Sequence, residues 1–194
     1  INATDVYRYV IRGRISSVYG LSPFAVAPSA VQAGDPFAAL AGEWVSATSP
    51  YGPLWELAAT AVTAVSGDNL LLGLLLFKGL GLISHLALTA MLWRGLAERA
   101  AGDRTSLTLL WAWNPALLLM FVVDAHNDVL MLLWLVAGWL LLRHGRALPG
   151  FLLMVLAPLT KPIALLALPF FWLAALRQKP TRAGRLRFAA ATAV

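Results

Sequence analysis

LLLGLLLFKGLGLISHLALTAMLW, residues 70–93, decides the class of this chain. As a helix rising about 1.5 Å per residue it is about 36 Å long, enough to cross the roughly 30 Å hydrocarbon core of a bilayer. Further apolar runs cover about 107–123, 129–142, 147–159 and 163–176. The last three are short for a crossing and require bilayer thinning, irregular ends or burial in a larger bundle. Pro115, Pro158 and Pro162 predict broken or kinked helices, tolerated where the freed backbone groups face protein or water. Residues 54–66 are apolar over too short a stretch to span and predict an interfacial helix. Ser66-Gly67-Asp68-Asn69 then supplies a turn and a helix cap.

Composition agrees with a membrane environment. Hydrophobic residues make up 60% of the 194, charged residues 12%, and there are 8 Trp, far from the roughly one-quarter charged of a soluble domain. The expected fold is therefore all-α, a multispanning integral-membrane helical bundle. Residues 1–68 form an extracytoplasmic loop with short juxtamembrane helices, and residues 69–194 form the transmembrane region, with about five spans and the start of another in RFAAATAV. No cysteine occurs, which excludes disulfides and thiolate metal sites. The chain opens on Ile1 without an initiator Met or signal-peptide pattern and is read as an interior fragment of a longer polypeptide. Asn2-Ala3-Thr4 matches a glycosylation sequon only weakly, against an Ala/Leu/Gly/Arg-rich bacterial composition.

The net charge of +6 does not indicate nucleic acid, because its placement follows the apolar runs. Arg94, Arg99 and Arg104, then Arg143 and Arg146, then Arg177, Lys179, Arg182, Arg185 and Arg187 occupy three loops between them. Taking the runs as crossings puts all three loops on one side, and the positive-inside rule makes that side cytoplasmic. Residues 1–68, DAHND (124–128) and LTKP (159–162) then meet at the opposite face, with Asp5, Asp35, Glu43, Glu56, Asp68, Asp124 and Asp128.

Candidate site residues lie at that face. Arg8, Arg12 and Arg14 run against the positive-inside trend, and arginine grips phosphate through paired donors. They are either a solvated juxtamembrane helix at the lipid headgroups or a phosphate site beside Asp5 as general base. In SPYGPLW (49–55), Pro53 suits a first helical turn, while Tyr51 and Trp55 are either a rigid turn or a stacking wall for a sugar. Lys78 and His85, seven residues apart, share a helix face; an ionisable group within a span is a functional-site candidate, and Lys78 can also snorkel to the interface. In DAHND, Asn127 is placed to cap the following helix and Asp128 to complement its dipole. Asp124 and Asp128 share a face if the stretch is helical. Carboxylates with His126 leave open sugar recognition, capping or a divalent cation. Lys161, before Pro162, suits an anionic headgroup.

In order, DVYRYVIRGR, YGLSPF, SPYGPLW, FKGLGL, WNPALLL, AHNDVLM and LTKPIALLALPF, running from Asp5 to Phe170, resemble the GT-C membrane glycosyltransferases of bacteria and archaea. The likeness is greatest to the polyprenyl-phosphomannose-dependent α-1,6-mannosyltransferases of mycobacteria and their relatives. Ser22-Pro23-Phe24 and Val123-Asp124 depart from the family pattern. The resemblance implies a GT-C-like bundle in the bacterial cytoplasmic membrane, with its active face extracytoplasmic. It implies a polyprenyl-phosphate sugar donor, a glycan or glycolipid acceptor, and inverting transfer of a hexose, mannose by this likeness, with Asp5 as general base. Arg8, Arg12, Tyr51, Lys78, His126, Asn127, Asp128 and Lys161 are then substrate-binding positions, with no metal ligand and no cofactor assigned. Two rival readings stand beside it: a transporter-type membrane protein and a catalytically silent membrane subunit.

Overall fold

In the computed structural model, which describes residues 5–179 and 181–192, every regular element is helical. The Asn2-Ala3-Thr4 sequon lies outside the described residues. The long elements are α1 (Asp5–Ser17), α2 (Pro53–Ser66), α3 (Leu70–Gly95), α4 (Ala101–Ala112), α5 (Pro115–Leu118), α6 (Asp128–Arg143), α7 (Ala147–Thr160), α8 (Leu168–Arg177) and α9 (Arg182–Thr192). Short 3-10 turns at Pro28–Val31 and Ala38–Trp44 occupy the loop between α1 and α2, and a further one at Pro162–Leu166 precedes α8.

α2 starts at Pro53, whose fixed φ and missing N–H cost nothing in a first turn. It stops at Gly67, held at φ +53°. Two residues on, the Asn69 side chain accepts from the Leu72 N–H at 3.0 Å and caps α3. Asn69→Ala should therefore cost about 1 kcal/mol, measurable as a lowered midpoint of thermal unfolding.

The helices order themselves between two ends. α3 and α6 run parallel: the first half of α3 lies against the turn before α6, where a Cβ on Gly81 would strike the Phe121 carbonyl, and their C-termini meet where Arg143 Nη1 donates to Gly95 O at 3.5 Å. α7 returns antiparallel to α6 through a close crossing at Gly138 and Gly150, where a Cβ on Gly150 would lie 2.8 Å from Gly138 O. Small residues let the two backbones approach in this way. Gln178 Nε2 donates to Leu142 O at 2.8 Å and closes the same end after α8. The three arginine-bearing turns thus converge at one end, while α1, residues 124–128 and the α7 C-terminus converge at the other.

Beneath that second end lies an aromatic core. Tyr9 meets Tyr51, Trp55 and Phe77 with ring centroids 5.3, 4.7 and 5.6 Å away, and Val6, Val10, Ala59, Ala125 and Leu130 fill the gaps. Arg14 pins α1 to the loop that follows. Its Nε lies 2.7 Å from the buried Asp35 carboxylate, its Nη1 2.6 Å from Gly67 O and 2.9 Å from Asp68. Arg14 is therefore a structural clamp rather than a phosphate ligand.

α3, with 26 residues, is long and apolar enough to cross a membrane; α4 and the segment Pro115–Val123 make a second only if their 42° bend belongs to one span. α7 and Pro162–Arg177 are apolar but shorter. The run 107–123 breaks because Pro115 offers no N–H and drives Asn114 to ψ 115°. The run 163–176 breaks at Ala167, between a 3-10 turn and α8.

Candidate functional site

Each side chain at this end is delivered by a local feature of the sequence. Asp5 opens α1, where a carboxylate complements the helix dipole, and Arg8 stands one turn on. After α5 the chain widens into a π-helical turn, Leu119–Val123, of the kind frequent at functional sites. Ala125 follows in the left-handed region at φ +56°. A non-glycine residue there is strained and persists only when its surroundings hold it; Ala125 is buried in the aromatic core, beside Gly81. The turn reverses the chain and brings His126 over Asp5. Asp128 sits in the first turn of α6. Lys161 leaves α7 in an extended conformation, φ −144° and ψ 116°, as a residue before proline prefers.

The result is a continuous charged line. Arg8 pairs with one oxygen of Asp5. His126 Nδ1 lies 2.9 Å from the other and 3.9 Å from Asp128. Lys161 Nζ grips both oxygens of Asp128, at 2.8 and 2.7 Å. These side chains are between 13% and 29% exposed, hence reachable yet largely desolvated. Burial holds His126 below the usual imidazole value, although Asp128 opposes the shift. At neutral pH the ring is uncharged, so its Nδ1–H donates to Asp5 and Nε2 keeps a lone pair. With two carboxylates and two cations the line is charge-balanced, and both cations keep unused N–H donors.

The other expected site residues stand elsewhere. Arg12 is 1% exposed; its guanidinium faces the Ala47 and Thr48 carbonyls at 3.4 and 3.3 Å and covers the Tyr51 ring. It sits behind the line and fastens the 45–52 loop. Tyr51 is part of the aromatic core rather than a wall open to ligand. Close by, Ser49 donates to Glu56, whose carboxyl burial pushes up. The Lys78 ammonium donates to Val123 O, at the end of the π turn. His85 is buried against Trp111, with Nε2 3.2 Å from Ala112 O. Asn127 occupies the N-cap position of α6, but its side chain makes no capping bond and is buried without a protein partner. Residues 124–127 are not helical, so Asp124 and Asp128 do not share a helix face. Among the described residues, no three His, Cys, Asp or Glu side chains are grouped to hold a metal ion.

Trp44 was not singled out from sequence. It is 41% exposed, and the Arg8 guanidinium lies over its indole at 5.1 Å. It sits in a loop whose position depends on Arg14 and Asp35, and nothing in Gly-Glu-Trp signals that.

The class defined so far is an all-α protein with a charge-balanced polar site at one end of an apolar bundle. Comparison with known proteins makes it particular. Residues 1–177 match the model of the family described as alpha-(1->6)-mannopyranosyltransferase, N-terminal domain, and the chain belongs to that family. It is 33% identical over 181 residues to alpha-(1->6)-mannopyranosyltransferase A of Mycobacterium tuberculosis, covering 90% of this chain and 34% of that protein. It is 30% identical over 166 residues to the protein of the same name from Corynebacterium glutamicum, covering 86% and 33%. A third relative, alpha-(1->6)-mannopyranosyltransferase Rv1459c of Mycobacterium tuberculosis, is 30% identical over 138 residues, covering 69% and 23%. The chain thus spans about a third of the length of the first two of these relatives. No solved structure matches it.

Proposed function

We propose that the protein is a membrane glycosyltransferase of the GT-C type that moves mannose, with inversion, from a polyprenyl phosphate to an extracytoplasmic glycan or glycolipid. The observation that carries the chemistry is the 2.9 Å contact of His126 Nδ1 with Asp5, flanked by Arg8 and Lys161. Transfer to a hydroxyl needs a base for the acceptor proton and donors for the departing phosphate. Asp5 takes the proton as the acceptor oxygen attacks the anomeric carbon and the bond to the phosphate oxygen breaks. His126 holds the carboxylate in place, and Arg8 and Lys161 turn their spare N–H groups toward the phosphate. Trp44, the exposed indole beside Arg8, offers an aromatic face to the sugar.

One alternative has a specific observation behind it. Because Nδ1 faces Asp5, the free Nε2 of His126 is oriented as a base in its own right, with Asp5 fixing the tautomer.

The direct test is transfer from synthetic polyprenyl-phosphate mannose by the full-length protein, with and without a chelator; no transfer from that donor under any condition overturns the proposal. The same assay has a defined pH dependence. His126 has a folded value below the roughly 6.5 of a free imidazole, so its proton binds the unfolded chain first. Stability from this group is intact above about pH 6.5 and declines as pH falls toward the folded value. Activity should be flat above that point and drop on the acid side, because imidazolium paired with Asp5 weakens the carboxylate as a base. In His126→Gln this limb should disappear, and its persistence there would assign it to another group.

A further inference from the structure

At the end of the bundle opposite Asp5, α3, α6 and α7 leave an open cavity of about 460 Å³ lined by Met91, Ala137, Leu140, Leu141 and Leu153 and ending on Arg94. It continues through Arg94, Gly95, Leu140 and His144 into a second, polar cavity of about 200 Å³, where Arg143 and Glu98 complete the wall. The volume of the first is that of a small-ligand site, about 300–1,000 Å³. We propose that this composite groove binds an anionic glycerophospholipid of the cytoplasmic leaflet, with an acyl chain in the apolar slot and the phosphate between Arg94 and Arg143. The proposal rests on the membrane reading above.

The bland account of the two arginines is that each complements the C-terminal dipole of its helix. That accounts for a charge at each helix end but not for an apolar slot that runs along both helices and stops at the depth where the charges begin. A lipid matches both halves. Hydrocarbon fits the Leu and Met wall, and a phosphodiester fits guanidinium donors. Arg143 is held at the junction by its bond to Gly95 O. The His144 Nδ1 is committed to Leu140 O at 2.6 Å, which leaves only Nε2 for a ligand. The helices that form the groove also carry exposed apolar side chains, among them Ile83 on α3, Trp139 on α6 and Leu152 on α7. A soluble anion gains nothing from such a surface. Basic pockets between helices on the cytoplasmic side of membrane proteins bind anionic headgroups for this reason.

The experiment is native mass spectrometry of the full-length protein released from phosphatidylcholine bilayers doped with phosphatidylglycerol, alongside the mannose-transfer assay. Wild type should retain phosphatidylglycerol in preference to phosphatidylcholine. Arg94→Gln with Arg143→Gln should reduce that preference about fivefold or more, while Ala137→Trp, which fills the slot and leaves the charges, should displace the lipid of either headgroup. Unchanged retention in both variants overturns the proposal. So does displacement of the lipid by inorganic phosphate, which would make the groove a free-anion site, and so does failure of a lipophilic maleimide to label Ala137→Cys in lipid-stripped protein, which would show the groove covered by protein. Wild-type protein that transfers mannose but retains neither lipid in preference to the other removes this inference alone; a protein that partitions away from bilayers and transfers no sugar removes the membrane reading on which it rests.

Discussion

Asp5→Asn is expected to lower kcat for mannose transfer by about a thousandfold, within the roughly 10²–10⁴ that general-base catalysis supplies, and to leave the KM for the lipid donor nearly unchanged. The amide preserves the shape of the side chain, and with its one carbonyl oxygen turned to His126 Nδ1 the contact that places α1 against residues 124–128 survives, while the i,i+3 pairing with Arg8 within α1 is given up. Lost is the capacity to take a proton. Near-normal turnover would remove Asp5 from the reaction. The companion variant separates the two assignments of the base. If His126 only holds the carboxylate, His126→Gln should cost about tenfold, because a side-chain amide can still donate to Asp5. If Nε2 is the base, the loss should equal that of Asp5→Asn, as when members of a coupled unit are removed singly.

The convergence of Asp5, DAHND and LTKP was legible because it follows from arithmetic on apolar runs and arginine-bearing loops. Those loops do gather at one end, through Arg143 to Gly95 and Gln178 to Leu142. The roles of individual polar residues were less legible. Arg8, Arg12 and Arg14 are alike in sequence and lie on one short helix, yet what each does depends on the loop that folds over α1. Arg8 meets Asp5 and Trp44, Arg12 meets the Ala47 and Thr48 carbonyls, and Arg14 meets Asp35 and Asp68. Lys78 could not be assigned for a similar reason. Its partner is a carbonyl exposed by a π turn, and hydrophobic periodicity carries no signal for a π turn. Asn127 was placed correctly at the start of α6, but Asn127 itself has helical φ and ψ, so its side chain does not turn back to the first N–H groups.

Gly52→Ala is the second large expected effect, and it acts from outside the charged line. A Cβ at this position would strike the Leu159 carbonyl and lie 2.7 Å from Pro158 O, so it meets backbone on a neighbouring helix and not a side chain that can rotate away. The same glycine donates its N–H to Thr160 O at 3.1 Å, one residue before Lys161. Thr160 also receives the Trp134 indole N–H at 3.2 Å, which ties α6 into the contact. Relief of the overlap must separate α2 from the α7 C-terminus, at a cost of about 1–3 kcal/mol for overpacking. Lys161 moves with it, away from Asp128. Because a misplacement of about 1 Å can cost roughly a hundredfold in rate, activity should fall much further than the lowered unfolding midpoint alone explains. Gly79→Ala is the matched control: a Cβ there meets nothing within 4 Å, and alanine is favoured over glycine inside a helix by about 1 kcal/mol. That variant should melt no lower than wild type and keep full activity. Equal behaviour of the two alanine variants would show that the approach of Gly52 to α7 does not set the position of Lys161.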